Sequence, residues 1–389
     1  MRITDIKVIG QGIISSQMAL VTVETDEGIT GIGSTSAPVQ VIAAFIEGNR
    51  GLRELLIGED PTDTNRLWLK MAEGWQAQRG RGGEGGVGIN AMAAVDIALW
   101  DIAGKARGLP IYKLLGGAVQ DQIMVYASTS RADRRYPYQD PWIAKTTDLM
   151  VQESKEYVEQ GFKAIKWGWG NYYNNDGQEA LEAIREAIGP DIHLMLDFGC
   201  PAYLQAGWNI KDAIRIAEIC GEYDLFFLEE ALHPYDVEGF KELTRNSPVK
   251  IATGESLTTV GDCKRFIDDH AIDIIQPDIQ QMGMTQFLRV AHLSEEAGIP
   301  CIPHGPWSAV LVAGHLNALA TFSNGIIIEY PGFASFEEAS DQRVRTQIMN
   351  ETIIETPPSV RDGYLQLPEG PGLGLGNYVH NIIEGMEQA

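Results

Sequence analysis

Residues 193–197 read His-Leu-Met-Leu-Asp, and residues 225–229 read Leu-Phe-Phe-Leu-Glu. Each segment is a short, almost continuous apolar run that ends on a carboxylate. Such runs are typical of strands that are buried on both faces, as in a parallel sheet covered by helices. The same pattern recurs along the chain before and after these two segments, so they are predicted to belong to a repeated strand–helix architecture.

Eight runs of this kind follow one another between residues 121 and 335. They lie at 123–127, 164–167, 193–197, 225–229, 251–254, 272–276, 299–303 and 326–329. Amphipathic segments with apolar residues at helical spacing separate them, for example 180–187, 211–219 and 286–296. The number and length of these units fit a closed α/β fold, a (β/α)8 TIM-type barrel, better than an open sheet.

Residues 1–120 follow the different pattern of an α+β capping domain. Alternating apolar residues at 3–8, 20–24 and 30–33 predict strands, and helical spacing over 39–57, 62–76 and 89–106 predicts helices. The segment 336–389 is irregular and rich in turns. We expect it to return to the capping domain, which would then be built from both ends of the chain around a catalytic barrel at 121–335.

Composition excludes several classes of protein. The chain has 389 residues, of which 44% are apolar, so it can bury a full core and is not disordered. Lys and Arg number 30 against 53 Asp and Glu, a net charge of −23 that repels phosphate backbones and makes nucleic acid an unexpected partner. Its 4 widely spaced cysteines indicate free thiols in the cytoplasm. No apolar run is long enough to span a membrane, and no signal peptide is recognisable.

The predicted barrel strands end on ionisable residues. In such a barrel the carboxyl ends of the strands form one rim, where the chemistry takes place. A single carboxylate in this position is usually a helix cap, but here six successive strands each bring an ionisable side chain to the rim. These residues are Asp197, Glu229, Glu255, Asp278, His304 and Glu329.

The first three of these residues are predicted metal ligands. Asp197, Glu229 and Glu255 end consecutive strands, so their side chains can converge on one point. The carboxylates of the rim would repel one another unless a cation neutralised them. Three hard oxygen ligands without a nearby Cys or His favour Mg²⁺ over zinc.

The next two residues are predicted to form a catalytic pair. Asp278 and His304 end adjacent strands, and an aspartate beside a histidine fixes its tautomer and raises its basicity, which prepares the imidazole as a general base. Glu329 ends the following strand. Its carboxyl group would hydrogen-bond a substrate oxygen if protonated, or complete a network of polar groups otherwise.

Over nearly its whole length, the chain resembles the enolase superfamily in its mandelate racemase-like branch. The motifs Met-Leu-Asp, Glu-Glu, Gly-Glu-Ser, Gln-Pro-Asp, Pro-His and Ile-Glu-Tyr, in this order, carry the resemblance. It implies a modified enolase barrel, Mg²⁺ bound by Asp197, Glu229 and Glu255, a catalytic dyad of His304 and Asp278, and Glu329 as a hydrogen-bond partner of the substrate carboxylate. It also implies a small-molecule substrate and a homo-oligomer.

Two positions depart from the family pattern. Many members end the second barrel strand with Lys-x-Lys, whose second lysine is a base on the other face of the substrate. Here residues 166–168 read Lys-Trp-Gly, so Gly168 stands in place of that lysine. Some members place Asn or His two residues after the first ligand, whereas this chain has Gly199.

The missing base favours dehydration over racemisation. The family removes a proton α to a carboxylate and stabilises the resulting enediolate with a metal. A racemase normally needs two bases, whereas β-elimination needs one base and an acid for the leaving hydroxide. We expect a sugar-acid dehydratase that converts an aldonate or aldarate to a 2-keto-3-deoxy sugar acid, similar in chemistry to the L-rhamnonate dehydratase-like group. The acid is protonated His304, a metal-bound water, Tyr172 or Tyr173.

Two alternative functions stay open. The same enolate intermediate also serves epimerases, racemases and lactone cycloisomerases. In a different class, the barrel would have lost catalysis and would have a binding or structural role. The complete set of metal ligands and the complete dyad argue against this second alternative.

Further residues are predicted to contact the substrate. Lys166 would bind a substrate carboxylate oxygen, neutralise the metal carboxylates or form a structural ion pair. Trp167 and Trp169 would stack on a sugar or belong to the core, and Trp307 would line the same pocket. The glycine-rich segment 77–86 is either a flexible connector or a lid that brings Arg79 or Arg81 to an anionic substrate.

Overall fold

The N-terminal residues form a three-stranded antiparallel sheet, as their alternating apolar pattern predicts. Strand β1 (Ile3–Ile9) pairs with β2 (Ala19–Thr25), and β2 pairs with β3 (Thr30–Thr35). The computed structural model describes residues 1–9, 19–79, 87–131, 145–169, 175–200, 208–305, 308–331 and 360–376.

Helices follow this small sheet and cover it. They are α1 (Val39–Ile46), α2 (Leu52–Leu56), α3 (Thr64–Arg79), α4 (Val87–Arg107) and α5 (Ile111–Leu114). The prediction of one helix over 39–57 is wrong, because the chain turns between α1 and α2. At Gly51 a side chain would collide with the backbone carbonyl groups at the end of α1, so the turn depends on glycine.

Helix α4 lies between the capping domain and the barrel. Its apolar residues pack against β2 and β3 on one side and against a barrel helix on the other. Within the described ranges it is the one helix long and apolar enough to cross a membrane, and 83% of its apolar window is buried inside the protein. Burial between two layers of this protein accounts for its apolar character.

Parallel strands form the barrel. In sheet order they are β4 (Gln122–Ser130), β5 (Ala164–Gly168), β6 (His193–Asp197), β7 (Leu225–Glu229), β8 (Ile251–Thr253) and β9 (Ile274–Ile275), and β10 (Ile327–Pro331) pairs with β4. The predicted strand at 299–303 makes only a single bridge, from Cys301 to Ile275. Pro300 and Pro303 have no N–H to donate, which limits the ladder there.

The barrel interior confirms the count of eight units. One buried cluster takes one residue from each of the eight segments: Tyr126, Ala164, Met195, Phe227, Ala252, Ile274, Ile302 and Ile327. Alternation along each strand then sends the neighbouring residues outward, where they pack under the helices. The fold class predicted from the sequence is therefore confirmed.

Seven helices surround the described part of the barrel. They are α6 (Thr147–Glu159), α7 (Asn175–Ile188), α8 (Ile210–Gly221), α9 (Val237–Asn246), α10 (Val260–Asp268), α11 (Ile279–Glu296) and α12 (Ala309–Leu319). Helix α11 is interrupted at Gly283, whose φ of 69° is non-helical. A side chain there would overlap Trp68 and Asp96, so this break lets the capping domain approach the barrel closely.

The C-terminal segment contacts both parts of the molecule. Strands β11 (Val360–Arg361) and β12 (Tyr364–Gln366) form a hairpin, and β12 pairs antiparallel with β4. Further along, Gly372 bridges to Pro110, and the backbone N–H of Leu373 donates to Asp101 on α4. The domain limits at residues 120 and 335 stay predictions.

Candidate active site

The carboxyl ends of the barrel strands bring the predicted site residues to one rim. Asp197 and Glu229 are paired neighbours at the ends of β6 and β7. Glu255 follows β8, and Asp278 follows β9 as the N-cap of α11. His304 comes three residues after the Cys301 bridge, and Glu329 lies in β10.

His304 and Asp278 form a hydrogen-bonded pair. His304 Nδ1 lies 2.9 Å from Asp278 Oδ2, and the other ring nitrogen, Nε2, lies 3.2 Å from Glu255 Oε2. Burial alone would lower the pKa of His304, but the charges of Glu255 and Asp278 raise it well above its usual value. Asp278 therefore fixes the ring through Nδ1, and Nε2 faces Glu255, one of the predicted metal ligands.

Several groups hold the carboxylate of Asp278. It is fully buried, which raises its pKa, while the hydrogen bond with His304 acts in the opposite direction. The backbone N–H of Gln280 donates to Oδ1 at 2.9 Å, and the Gln280 side-chain amide donates to Oδ2. Next to it, the N–H of Ile279 donates to Nε2 of the buried His315. The aspartate is thus rigidly placed at the start of α11.

Lys166 lies at the centre of the carboxylates. Its ammonium group donates to both oxygens of Glu229, at 2.9 and 2.7 Å, and lies 3.3 Å from Glu329 Oε1. Only 2% of the residue is exposed. Burial alone would lower its pKa, but the charges of Glu229 and Glu329 raise it well above the usual value. Lys166 is therefore a charged ion-pair partner rather than a base.

Glu329 completes this network as an ionised group. Its Oε2 accepts a hydrogen bond from the N–H of Gly305 at 2.6 Å. Burial alone would raise its pKa, but Lys166 and His304 lower it to about 2. The surroundings of Glu329 therefore stabilise its ionised form rather than its protonated form.

The three predicted metal ligands are neighbours but are not gathered around one point. Burial raises the pKa of Asp197 to about 6 and that of Glu229 to about 8, and repulsion from Glu255 acts in the same direction on both. As the side chains lie, no three Asp, Glu, His or Cys residues in the described ranges are close enough to hold an ion. Both oxygens of Glu229 are instead directed at Lys166.

These residues nevertheless fit a divalent cation. Their ligand atoms are all carboxylate oxygens, which suit Mg²⁺. They are buried and repel one another, so a cation would stabilise them. In the structure, the positive charge of Lys166 neutralises Glu229. A bound divalent ion would neutralise Glu229 in its place.

The end of β5 provides no second base. Gly168 pairs with Asp197 in the sheet register, and a side chain at Gly168 would come within 3.2 Å of the Thr129 carbonyl oxygen. Because no lysine stands at position 168, the pair of His304 and Asp278 is the ionisable pair suited to proton transfer among the rim residues that the structure describes.

The prediction that Trp167 contacts the substrate is corrected by its position. Lys166 and Trp167 are adjacent in a strand, so their side chains point to opposite faces. Trp167 is fully buried under α6, where its indole N–H donates to Ser154 Oγ at 3.2 Å. Trp169 is also buried, with the Arg131 guanidinium 5.1 Å from its ring.

Other predicted contacts lie outside the described residues. They are Arg81, Tyr172, Tyr173 and Trp307. The side chain of Arg79 also lies outside the described part of the chain. Their roles stay predictions.

Glu230 is a site residue that sequence reasoning missed. Its fully buried carboxylate accepts from Thr253 Oγ1, from the Gly254 N–H at 3.3 Å and from the Cys200 thiol. It thereby ties together the ends of β6, β7 and β8, which carry the predicted ligands. The available signal was the Glu-Glu doublet at the end of β7, whose second glutamate follows the strand with a φ of 52°.

The fold and the site together define a barrel enzyme of the enolase superfamily. The chain belongs to the mandelate racemase and muconate lactonizing enzyme family of that superfamily. Residues 149–376 match the family model described as "Enolase C-terminal domain-like". Residues 6–116 match the model "Mandelate racemase / muconate lactonizing enzyme, N-terminal domain".

Named relatives catalyse more than one reaction. L-rhamnonate dehydratase of Saccharopolyspora erythraea is 31% identical over 92% of this chain and 82% of its own length. D-galactarolactone cycloisomerase of Agrobacterium fabrum is 27% identical over 92% of this chain and 88% of its own length. The crystal structure of the 3,6-anhydro-D-galactonate cycloisomerase from Zobellia galactanivorans has a TM-score of 0.81 and 26% identity, covering 99% of each chain.

Proposed function

We propose that this protein is a Mg²⁺-dependent dehydratase that converts a sugar acid, an aldonate or an aldarate, to a 2-keto-3-deoxy sugar acid. One observation carries the proposal: the His304–Asp278 pair stands at the rim, 2.9 Å apart, while Gly168 occupies the position of a second base. One base serves an elimination, whereas inversion at a carbon atom normally requires two.

The proposed reaction starts from neutral His304, whose raised pKa comes first from the charge of Glu255, a group that a bound cation would neutralise. Nε2 of His304 then takes the α-proton of the bound acid. The electron pair of the broken C–H bond passes into the substrate carboxylate and gives an enediolate. When this pair returns, it forms the carbon–carbon double bond between the α- and β-carbon atoms as the bond to the β-hydroxyl breaks. The proton on His304 passes to the leaving hydroxide, so water departs, and the enol product ketonises. Asp278 holds the Nδ1 side of the ring throughout and stabilises the imidazolium that forms.

We further propose that Asp197, Glu229 and Glu255 hold the Mg²⁺. When bound, the ion would stabilise negative charge on the substrate carboxylate. Lys166, freed from part of its pairing with Glu229, is placed to donate to a substrate carboxylate oxygen, and Glu329 keeps it in position from the other side.

A second candidate is a cycloisomerase or epimerase that uses the same enolate intermediate. The names of two relatives, D-galactarolactone cycloisomerase and 3,6-anhydro-D-galactonate cycloisomerase, favour it. The relative that is 31% identical is an L-rhamnonate dehydratase, and its name supports dehydration.

We also propose a cytoplasmic location, which the four free cysteines support, and a homo-oligomer.

A panel of sugar monoacids, diacids and their lactones tests the proposal. With Mg²⁺ present, keto-acid formation is followed with semicarbazide, and the same reactions in D2O are followed by NMR. We expect a keto acid from at least one substrate, and His304→Asn should reduce its rate by at least about 10³-fold. The exposed His292 provides the matched control His292→Asn, which should keep full activity.

Each other outcome contradicts dehydration in a distinct way. Deuterium entering an unchanged carbon skeleton would indicate epimerisation, and a lactone that changes ring connectivity without losing water would indicate cycloisomerisation. Mg²⁺ binding without any reaction or exchange across the panel would favour the non-catalytic barrel.

A further inference from the structure

We propose that Gln280 is a positioning residue that couples the capping domain to the His304–Asp278 dyad. The proposal rests on the proposed function in so far as this dyad is the base. It adds a connection between the two parts of the molecule that neither the motifs nor the relatives indicate. Gln280 lies in the first turn of α11 and is 1% exposed.

On the barrel side, Gln280 contacts the dyad through both its backbone and its side chain. Its N–H donates to Asp278 Oδ1 at 2.9 Å. Its side-chain nitrogen Nε2 donates to Asp278 Oδ2, the same oxygen that His304 Nδ1 contacts at 2.9 Å. The same amide also lies 3.4 Å from the carbonyl oxygen of Gly305, the residue that follows His304.

The orientation of this amide is determined by its surroundings. Nε2 faces two acceptors, the Asp278 carboxylate and the Gly305 carbonyl. The other end, Oε1, is buried and has no hydrogen-bond partner among the described residues. Rotating the amide by 180° would set an oxygen against the carboxylate, so Gln280 is held as a donor to Asp278.

On the other side, the capping domain holds the backbone of the same residue. The carbonyl oxygen of Gln280 accepts from Thr35 Oγ1 at 3.0 Å and from Asn90 Nδ2 at 3.2 Å. Asn90 Nδ2 also donates to Thr35 Oγ1 at 3.1 Å. Thr35 is the last residue of β3, and Asn90 lies in the first turn of α4.

These contacts form one continuous path. A displacement of β3 or of the start of α4 moves the Gln280 carbonyl, and the Gln280 amide transmits the movement to the oxygen that fixes His304. The capping domain therefore influences the orientation of the proposed base through Gln280.

The dyad can be observed without any substrate. In protein labelled with ¹⁵N-histidine, the His304 ring resonances are assigned by their loss in His304→Asn. We expect Gln280→Ala to shift them, because Asp278 loses a donor on the oxygen that binds the ring. The neighbouring Gln281, for which the structure gives no side-chain hydrogen bond within the described residues, provides the control Gln281→Ala, which should leave them unchanged.

A double-mutant comparison tests the coupling itself. Thr35→Val removes one donor to the Gln280 carbonyl and should shift the His304 resonances in the wild-type background. In the Gln280→Ala background the same substitution should have a smaller effect, because only the backbone N–H of residue 280 then still reaches Asp278. The proposal is wrong if Gln280→Ala leaves the His304 resonances in place, or if Thr35→Val has its full effect without Gln280.

Activity provides a second readout. With any sugar acid that the wild type converts, we expect Gln280→Ala to lower kcat about tenfold while the Kd for Mg²⁺ stays unchanged. If Gln280→Ala does not fold, Gln280→Met keeps the volume and removes the donor. If no sugar acid is converted, the proposed function fails, and the resonance shifts still decide the role of Gln280.

Discussion

At the scale of single residues, the charge of Lys166 organises the rim. It is a buried cation that faces Glu229 and Glu329, while Asp197 lies near enough to influence its pKa. A buried charge is stable only when it is paired, so each of these residues depends on the others. The network therefore stabilises the rim. Before a metal binds, Lys166 also neutralises part of the negative charge of the proposed Mg²⁺ site.

Substitution of this lysine should destabilise the protein. Lys166→Met keeps most of the side-chain volume but leaves two buried carboxylates without their cation, so we expect the free energy of unfolding to fall by about 3–5 kcal/mol. Chemical denaturation measures it. The nearby exposed Lys163 gives the control Lys163→Met, which should change little. If both variants were equally stable, Lys166 would not hold these carboxylates.

Trp167 shows where reasoning from residues alone fell short. Its place beside Lys166 at the barrel mouth suggested a substrate contact, but strict alternation in β5 sends its ring under α6. In contrast, the positions of the rim residues could be read from the sequence, because each one ends an apolar run or follows it within two residues. Gln280 could not be found from the sequence, since its partner Thr35 lies 245 positions away.

At the scale of elements, the contact between β3 and α4 joins the capping sheet to its main helix. The backbones approach so closely that a side chain at Gly33 would overlap the carbonyl oxygen of Ala94. Gly31 makes the same kind of contact with Ala98 one turn along the helix. Glycine is required at these positions because of space, not because of an unusual backbone conformation.

Gly33→Ala should therefore be strongly destabilising. The overlap is with helix backbone, which cannot move aside as a side chain can, so we expect a loss of about 3 kcal/mol or more. Gly261, in the first turn of α10, has room for a methyl group, and Gly261→Ala is the control that should be tolerated. Thermal unfolding of both variants measures the difference. Equal melting temperatures would show that the two elements can separate without cost.

A second junction of elements, between α4 and α11, contains a buried carboxyl group. Asp96 on α4 accepts hydrogen bonds from the N–H and the hydroxyl group of Thr285, at 2.8 and 2.7 Å, next to the break at Gly283. Burial raises the pKa of Asp96 to about 7, although these two hydrogen bonds act in the opposite direction. This junction should therefore respond to pH.

The sign of that response follows from the pKa values. The unfolded chain releases the Asp96 proton near pH 4, whereas the folded protein keeps it until about pH 7. Between these limits the folded state binds more protons, so the contribution of Asp96 to the free energy of unfolding falls as pH rises, by roughly 4 kcal/mol in total.

Denaturation of the wild type and of Asp96→Asn at pH 4.5–8 measures this contribution, with the exposed Asp63→Asn as control. As pH increases, the wild type should lose stability relative to Asp96→Asn. A difference that is constant across this range would contradict a raised pKa at Asp96.

At the scale of the whole molecule, apolar patterns predicted the architecture well. Strands β6 and β7 have the predicted limits, because two-sided burial demands uninterrupted apolar runs. The pattern was less informative where backbone chemistry intervened, as between the prolines at 300 and 303 or at the turn between α1 and α2. Periodicity reports which side chains are buried, but it does not report missing N–H groups or close backbone contacts.

The position of a bound divalent ion tests the central claim most directly. Crystals grown with Mn²⁺ in place of Mg²⁺ would give an anomalous-scattering map that locates the ion independently of the protein atoms. We predict one strong peak among the carboxylates of Asp197, Glu229 and Glu255, with Glu229 turned from Lys166 toward the ion and His304 Nε2 facing the space beside it. A map with no peak there, or with the ion bound elsewhere while Glu229 keeps both contacts with Lys166, would contradict the account.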